Sequence, residues 1–230
     1  MIDFNEERDL VQARLGGANI LNSLMNAMKD ARGIHSDSLL CVLGSLAGYA
    51  CQNAVRYEYV KCKGMPEEKV FIAVKGEGNK TLLCGDMLNK PLAEDKYSVC
   101  SVVAGAAVKL GIENIWQKLD VNEIFKYNAS VMFTDKYGIP RLPDGHGTSD
   151  TEENYVTALW SAFRPMALKF VTEDKLPLVF AFAAQEAVVF VKDALDPITA
   201  MKLVIESAVA MSKVTIKELG ISQSWTSDKA

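Results

Sequence analysis

Arg141, Asp144 and His146 stand together in one irregular stretch, Tyr137 to Asp150, which also holds Gly138, Pro140, Pro143, Gly145 and Gly147. An imidazole titrates near neutral pH, and a carboxylate such as Asp144 or Asp150 can fix its tautomer, so His146 could serve as a general acid or base. No nucleophile goes with it: there is no Gly-x-Ser-x-Gly, and no cysteine spacing pairs a thiol with His146. Glycine and proline at this density exclude a regular element. Loops this long inside a compact domain are usually functional or mobile, which makes 137–150 the leading site candidate. Asp150 with Glu153 also fits a helix N-cap and its reciprocal acid, a structural duty that competes with catalysis.

Asp86 and Asn89 form a second candidate, in the run Gly85 to Pro91. Their side chains could bind a ligand or a metal, or even close over the 137–150 loop, yet Asp and Asn are also ordinary turn formers. Gly76, Gly78, Lys80 and Thr81 imitate a phosphate-binding loop, but Val74 and Asn79 stand where that motif needs glycine, and Thr81 opens a strand-like run instead of a helix. A hairpin turn accounts for them. Glu186 and Glu206 sit in apolar helical runs and read as helix-edge residues or as partners of a base such as Arg164 or Lys202.

The five cysteines are an odd number, none forms Cys-x-x-Cys, and His35 and His146 are the only histidines. Reduced thiols in a cytoplasmic setting are expected, and a structural zinc site is not. No motif names a cofactor. The 25 basic and 29 acidic residues give a net charge of -4 without blocks of either sign, which disfavours nucleic acid as a partner. The first ten residues carry four acids and no apolar run, so no targeting segment is expected. Leu176 to Val191 is the most apolar stretch, but Gln185 and Glu186 interrupt it, and it is shorter than the roughly 20 residues of a membrane span.

These side chains must be positioned by elements that read as mostly helical. With 230 residues and 49% apolar composition the chain can bury a core as a single globular domain. Phe4, Val11, Leu15, Ala18, Leu21, Met25 and Met28 line one face of an N-terminal helix that Gly16 and Gly17 should kink or split. A second helix begins at Ser36 or Asp37 and ends near Val55 to Val60, where Tyr57 and Tyr59 alternate with charges as in a strand. Val70 to Val74 and Thr81 to Cys84 predict a β-hairpin, with Arg56 to Lys61 the nearest third strand. Tyr97 to Leu110 is a helix capped by Gly111, and its small residues suggest that it neighbours the Ser36 helix. Ile112 to Phe133 mixes helical and strand cues. Glu152 to Val171, Leu176 to Val191 and the run after Pro197 complete the helical set.

The fold class is therefore α+β, a helix cluster with a small antiparallel hairpin. Two functions remain open. One is a non-enzymatic interaction protein, a homo-oligomer in the simplest case, built on small-residue and all-round apolar helices. The other is a small-molecule binder or enzyme whose site is the 137–150 loop.

Overall fold

The structure, a computed structural model, describes residues 4–31, 33–76 and 80–215. It is α+β and predominantly helical, with one two-stranded antiparallel sheet among the described residues.

The organising element is α2, Ser36–Val55, whose residues are almost all buried. It is apolar on every side because other helices surround it. These are α1 (Phe4–Met28), α9 (Glu152–Ala167), α10 (Leu176–Phe190) and α11 (Pro197–Met211). By length and composition, Ser36–Cys62 could cross a membrane, yet 94% of its apolar window is buried inside the protein, as befits a core helix. His35, not Ser36, caps α2: its Nδ1 accepts from the backbone N–H of Ser38 at 3.3 Å.

Glycine determines which helices come close. At Gly44 an added Cβ would lie 2.9 Å from Ser207 Cβ and 3.0 Å from Val204 Cα, and at Gly48 it would lie 2.7 Å from Ala208 Cα. The small-residue face of α2 therefore receives α11. The helix that follows Ser98, α5 (Val99–Ala104), packs chiefly on α10, where Gln185 donates to Val102 O at 2.5 Å. Gly16 and Gly17 do not break α1, which runs unbroken for 25 residues. They let it lie against Val179, Phe182 and Ala183 of α10. The buried face of α1 is consequently Ala13, Ile20, Leu21 and Leu24, while Val11 and Leu15 face solvent.

Between Val55 and Val60 the chain does not become a strand. It continues as a π-helical segment, Arg56–Cys62, closed by the bond from Lys63 N–H to Glu58 O at 3.1 Å. Arg56 is buried at its start, donating to Glu67 Oε1 at 2.8 Å and to Gln52 Oε1, with its guanidinium over the Phe71 ring. Val70 then ends a short helix, α3 (Glu67–Val70), and the hairpin pairs β1 (Ile72–Lys75) with β2 (Thr81–Cys84). Thr81 opens a strand, as a hairpin requires; Glu77, Gly78 and Asn79 lie outside the described residues. The third partner of the hairpin is the chain after α11, through Leu83 N–H to Lys213 O at 2.7 Å and a bridge from Leu82 to Val214.

After β2, α4 (Asp86–Asn89) runs into a second π-helical segment, Lys90–Glu94. Pro91 has no N–H to donate to residue 87, so the α ladder cannot continue there. The wider turn closes from Asp95 N–H to Lys90 O at 2.9 Å. Beyond α5 come α6 (Ala106–Lys109), with Gly111 after it at φ +66, then α7 (Ile115–Leu119) and α8 (Val121–Val131). The mixed cues of Ile112 to Phe133 thus resolve as helix. Thr151, not Asp150, caps α9, and Pro165 sits within its last turn.

Candidate functional site

Residues 132–151 join α8 to α9 without regular structure and are tied down along their length, so they form a strap. Tyr137 Oη donates to Ala210 O at 2.8 Å. Arg141 gives Glu206 its backbone N–H (2.9 Å), its Nε (2.7 Å) and its Nη2, and grips Glu123 with both terminal nitrogens at 2.6 and 2.8 Å. That contact holds the Glu123 carboxyl below its ordinary range. Glu206 is thus paired with Arg141 and not with Arg164 or Lys202, and Glu186 pairs with Lys109.

The far end of the strap sits on the first turn of α2. His146 Nδ1 lies 3.2 and 3.1 Å from the two oxygens of Asp37, and Gly147 N–H donates to Asp37 Oδ2 at 3.0 Å. Ser149 N–H donates to Ser38 Oγ at 2.9 Å, and Ser38 Oγ also meets Ser149 Oγ (3.0 Å) and His35 Nδ1 (2.9 Å). Both histidines of the chain therefore converge on two adjacent residues, Asp37 and Ser38. A carboxylate at a helix N-terminus is favoured by the helix dipole, which suits Asp37 to this anchoring. The carboxylate partner of His146 is Asp37 instead of Asp144, which is exposed at the strap's tip, or Asp150, which accepts from Thr151 N–H and Asn154. The imidazole is partly exposed, and the carboxylate beneath it is buried. Each of these polar groups also staples the strap.

Ligand-sized volume lies at the other end of α2, about 27 Å away for 18 helical residues. A groove of about 450 Å³ runs between α1 and the turn before α5, lined by Glu6, Asp9, Leu10, Pro91, Asp95, Lys96, Tyr97, Asp174, Lys175, Pro177 and Leu178. A second cavity of about 310 Å³ adjoins it, sharing Pro91, Asp95, Asp174 and Lys175 and adding Ala54, Val55, Glu58, Tyr59, Met87 and Lys90. Glu58 and Tyr59 come from the first π-helical segment, Lys90 and Pro91 from the second. A basic depression with Arg8, Lys169 and Lys175 continues past Asp9.

The groove is held by buried polar contacts. Asp174 and Lys175 ride on the 3-10 turn Glu173–Lys175, whose Glu173 takes Asn53 Nδ2 at 2.8 Å and the Arg164 guanidinium. Both tyrosine rings carry an ammonium on their face, Lys63 at 4.0 Å over Tyr59 and Lys96 at 4.5 Å over Tyr97. Lys96 also lies 3.6 Å from Glu6, and Lys175 3.6 Å from Asp174. Asp86 and Asn89 are the first and last residues of α4, whose Met87, with Lys90 just after it, lines the second cavity.

All five cysteines are free. Burial raises the thiols of Cys41, Cys51 and Cys100, the last to about 12, so none of the three offers a thiolate near neutral pH. Among the described residues no group of three or more His, Cys, Asp or Glu side chains is arranged to hold a metal ion. Compared with known proteins, the chain matches no family model, no curated protein and no solved structure.

Proposed function

We propose that the chain is a non-enzymatic binding protein of the cytoplasm whose groove takes an extended basic segment of a partner protein. The observation that carries this reading is the convergence of both π-helical segments on one groove of ligand size. Such segments make up well under 1% of residues and recur at functional sites. The lining supports the ligand class. Glu6, Asp9, Glu58, Asp95 and Asp174 outnumber Lys90, Lys96 and Lys175, so the groove favours cations. Tyr59 and Tyr97 already seat ammonium groups, and an incoming lysine or arginine can take the same faces. Leu10, Pro91, Pro177 and Leu178 offer apolar surface to its aliphatic stem.

An acetylated hexapeptide alternating lysine and leucine is expected to raise the melting temperature by several degrees, since a ligand at a hundred times its Kd adds about 2.7 kcal/mol. Asp95→Lys combined with Asp174→Lys should abolish that rise, and the glutamate–leucine counterpart should give none. Equal shifts from both peptides, or a shift that survives the charge reversals, would contradict the reading.

A homo-oligomer is the second reading, favoured by α1. Val11 (51% exposed) and Leu15 (54%) lie one turn apart, with exposed Ala18 on the same stripe, and such a stripe can bury itself against a second copy. Sedimentation velocity should then show a species larger than the 25.2 kDa chain, lost in Leu15→Lys. A lone monomer at every concentration sets this reading aside.

A further inference from the structure

Beneath the strap lies a cavity of about 10 Å³, walled by Tyr127, Asn128, Gly138, Glu152, Glu206 and Ala210 among others. That is about the room one water molecule needs. Glu152, the first residue of α9, is 1% exposed, and among the described residues its Oε2 meets no hydrogen-bond partner. Gly138 of the strap, at φ +75, passes so close that a Cβ there would lie 3.5 Å from this oxygen.

Among the described residues no cation pairs with Glu152. From α11, Glu206 faces it with its carboxylate already filled by Arg141 of the strap; Glu153 adds a like charge from α9, and Cys41 faces it from α2. Lys136, on the strap at the cavity's edge, is solvent-exposed. An ionised carboxylate buried without a counter-charge is far costlier than a neutral one, so the site favours the protonated form. Burial accordingly pushes the Glu152 carboxyl up to about 7, against the opposing hydroxyl of Ser207 and with further upward push from Glu206 and Glu153.

We infer that Glu152 and its one-water cavity form a proton-binding site that latches the strap. The neutral carboxyl donates to the water and the strap stays seated. The ionised carboxylate places a second negative charge against Glu206, and the strap lifts to hydrate it. The direction follows from linkage. A carboxyl whose value in the closed state lies above the ordinary 4.5 favours closure when protonated, and that advantage is lost as pH rises from about 4.5 to about 7. This inference does not rest on the groove.

The test is hydrogen exchange of the whole chain, read on strap peptides within 137–149 at pH 5 and pH 7.5 and corrected for intrinsic exchange. Strap protection should fall roughly a hundredfold between the two, while that of α2 holds. Glu152→Gln, permanently neutral, should keep the pH 5 protection at pH 7.5. Glu152→Gln isolates this carboxyl, because a pH effect arising anywhere else in the chain would persist in the variant. Equal wild-type protection at both pH values, or a variant that tracks the wild type, overturns the inference. If Glu152→Gln does not fold, carboxyl carbon NMR of the wild type decides: titration near neutrality supports the site, and titration in the ordinary glutamate range refutes it.

Discussion

Gly48→Ala is expected to lower stability by about 3 kcal/mol, an unusual cost for one methyl group in a helix. Alanine would ordinarily gain about 1 kcal/mol over glycine at a helix interior. Here its Cβ would meet backbone: Ala208 Cα and carbonyl carbon are each 2.7 Å away, and the Ala208 carbonyl oxygen is nearer still. Side-chain repacking cannot relieve a backbone clash, so α11 must move away from α2 and loosen one of the most extensive helix contacts among the described residues. Denaturant unfolding checks this. Gly147→Ala provides the contrast, because nothing lies within 4 Å of an added Cβ there and the N–H to Asp37 is kept, so its effect should stay within about 0.5 kcal/mol.

Arg141→Ala should cost about 2–3 kcal/mol. Glu206 has a side chain only 5% exposed, and the variant would leave it with the residue-141 backbone N–H in place of three donors. Breaking a buried pair from one side is expensive because the other charge remains buried. The cost is moderated because Arg141 itself is 37% exposed, so solvent already screens part of the pair. Adding Glu206→Gln should recover part of the loss, since the residual charge is then gone. Urea midpoints of the two variants and the wild type check both statements, and a double variant no better than Arg141→Ala would show that the cost lies in lost packing.

Much of the helical scaffold was legible because its signals are local. The apolar run from Leu176, the proline opening α11 and the loop-forming density of glycine and proline after Tyr137 each act within a few residues. The face of α1 was not legible, since hydrophobic spacing points to Val11, Leu15 and Ala18. Packing instead follows Gly16 and Gly17, whose missing side chains admit α10. The alternation from Arg56 to Tyr59 resembles a strand, and its π-helical outcome goes with a buried Arg56 held by Gln52, Glu67 and Phe71. The strap could be read as a loop with polar candidates, but its anchors Asp37 and Ser38 are about 110 residues away in sequence. The groove draws on four separated stretches of chain, and of these only the run Gly85 to Pro91 stood out in the sequence as a candidate site.

Amide NMR during titration with the lysine–leucine hexapeptide tests the binding proposal most directly, because it reports where the peptide sits. The expected result is saturable shifts at Tyr59, Asp95, Tyr97 and Leu178 with Gly147 and Ser149 unmoved. Shifts centred on Gly147 and Ser149, with the groove silent, would contradict the account and return the binding site to the strap.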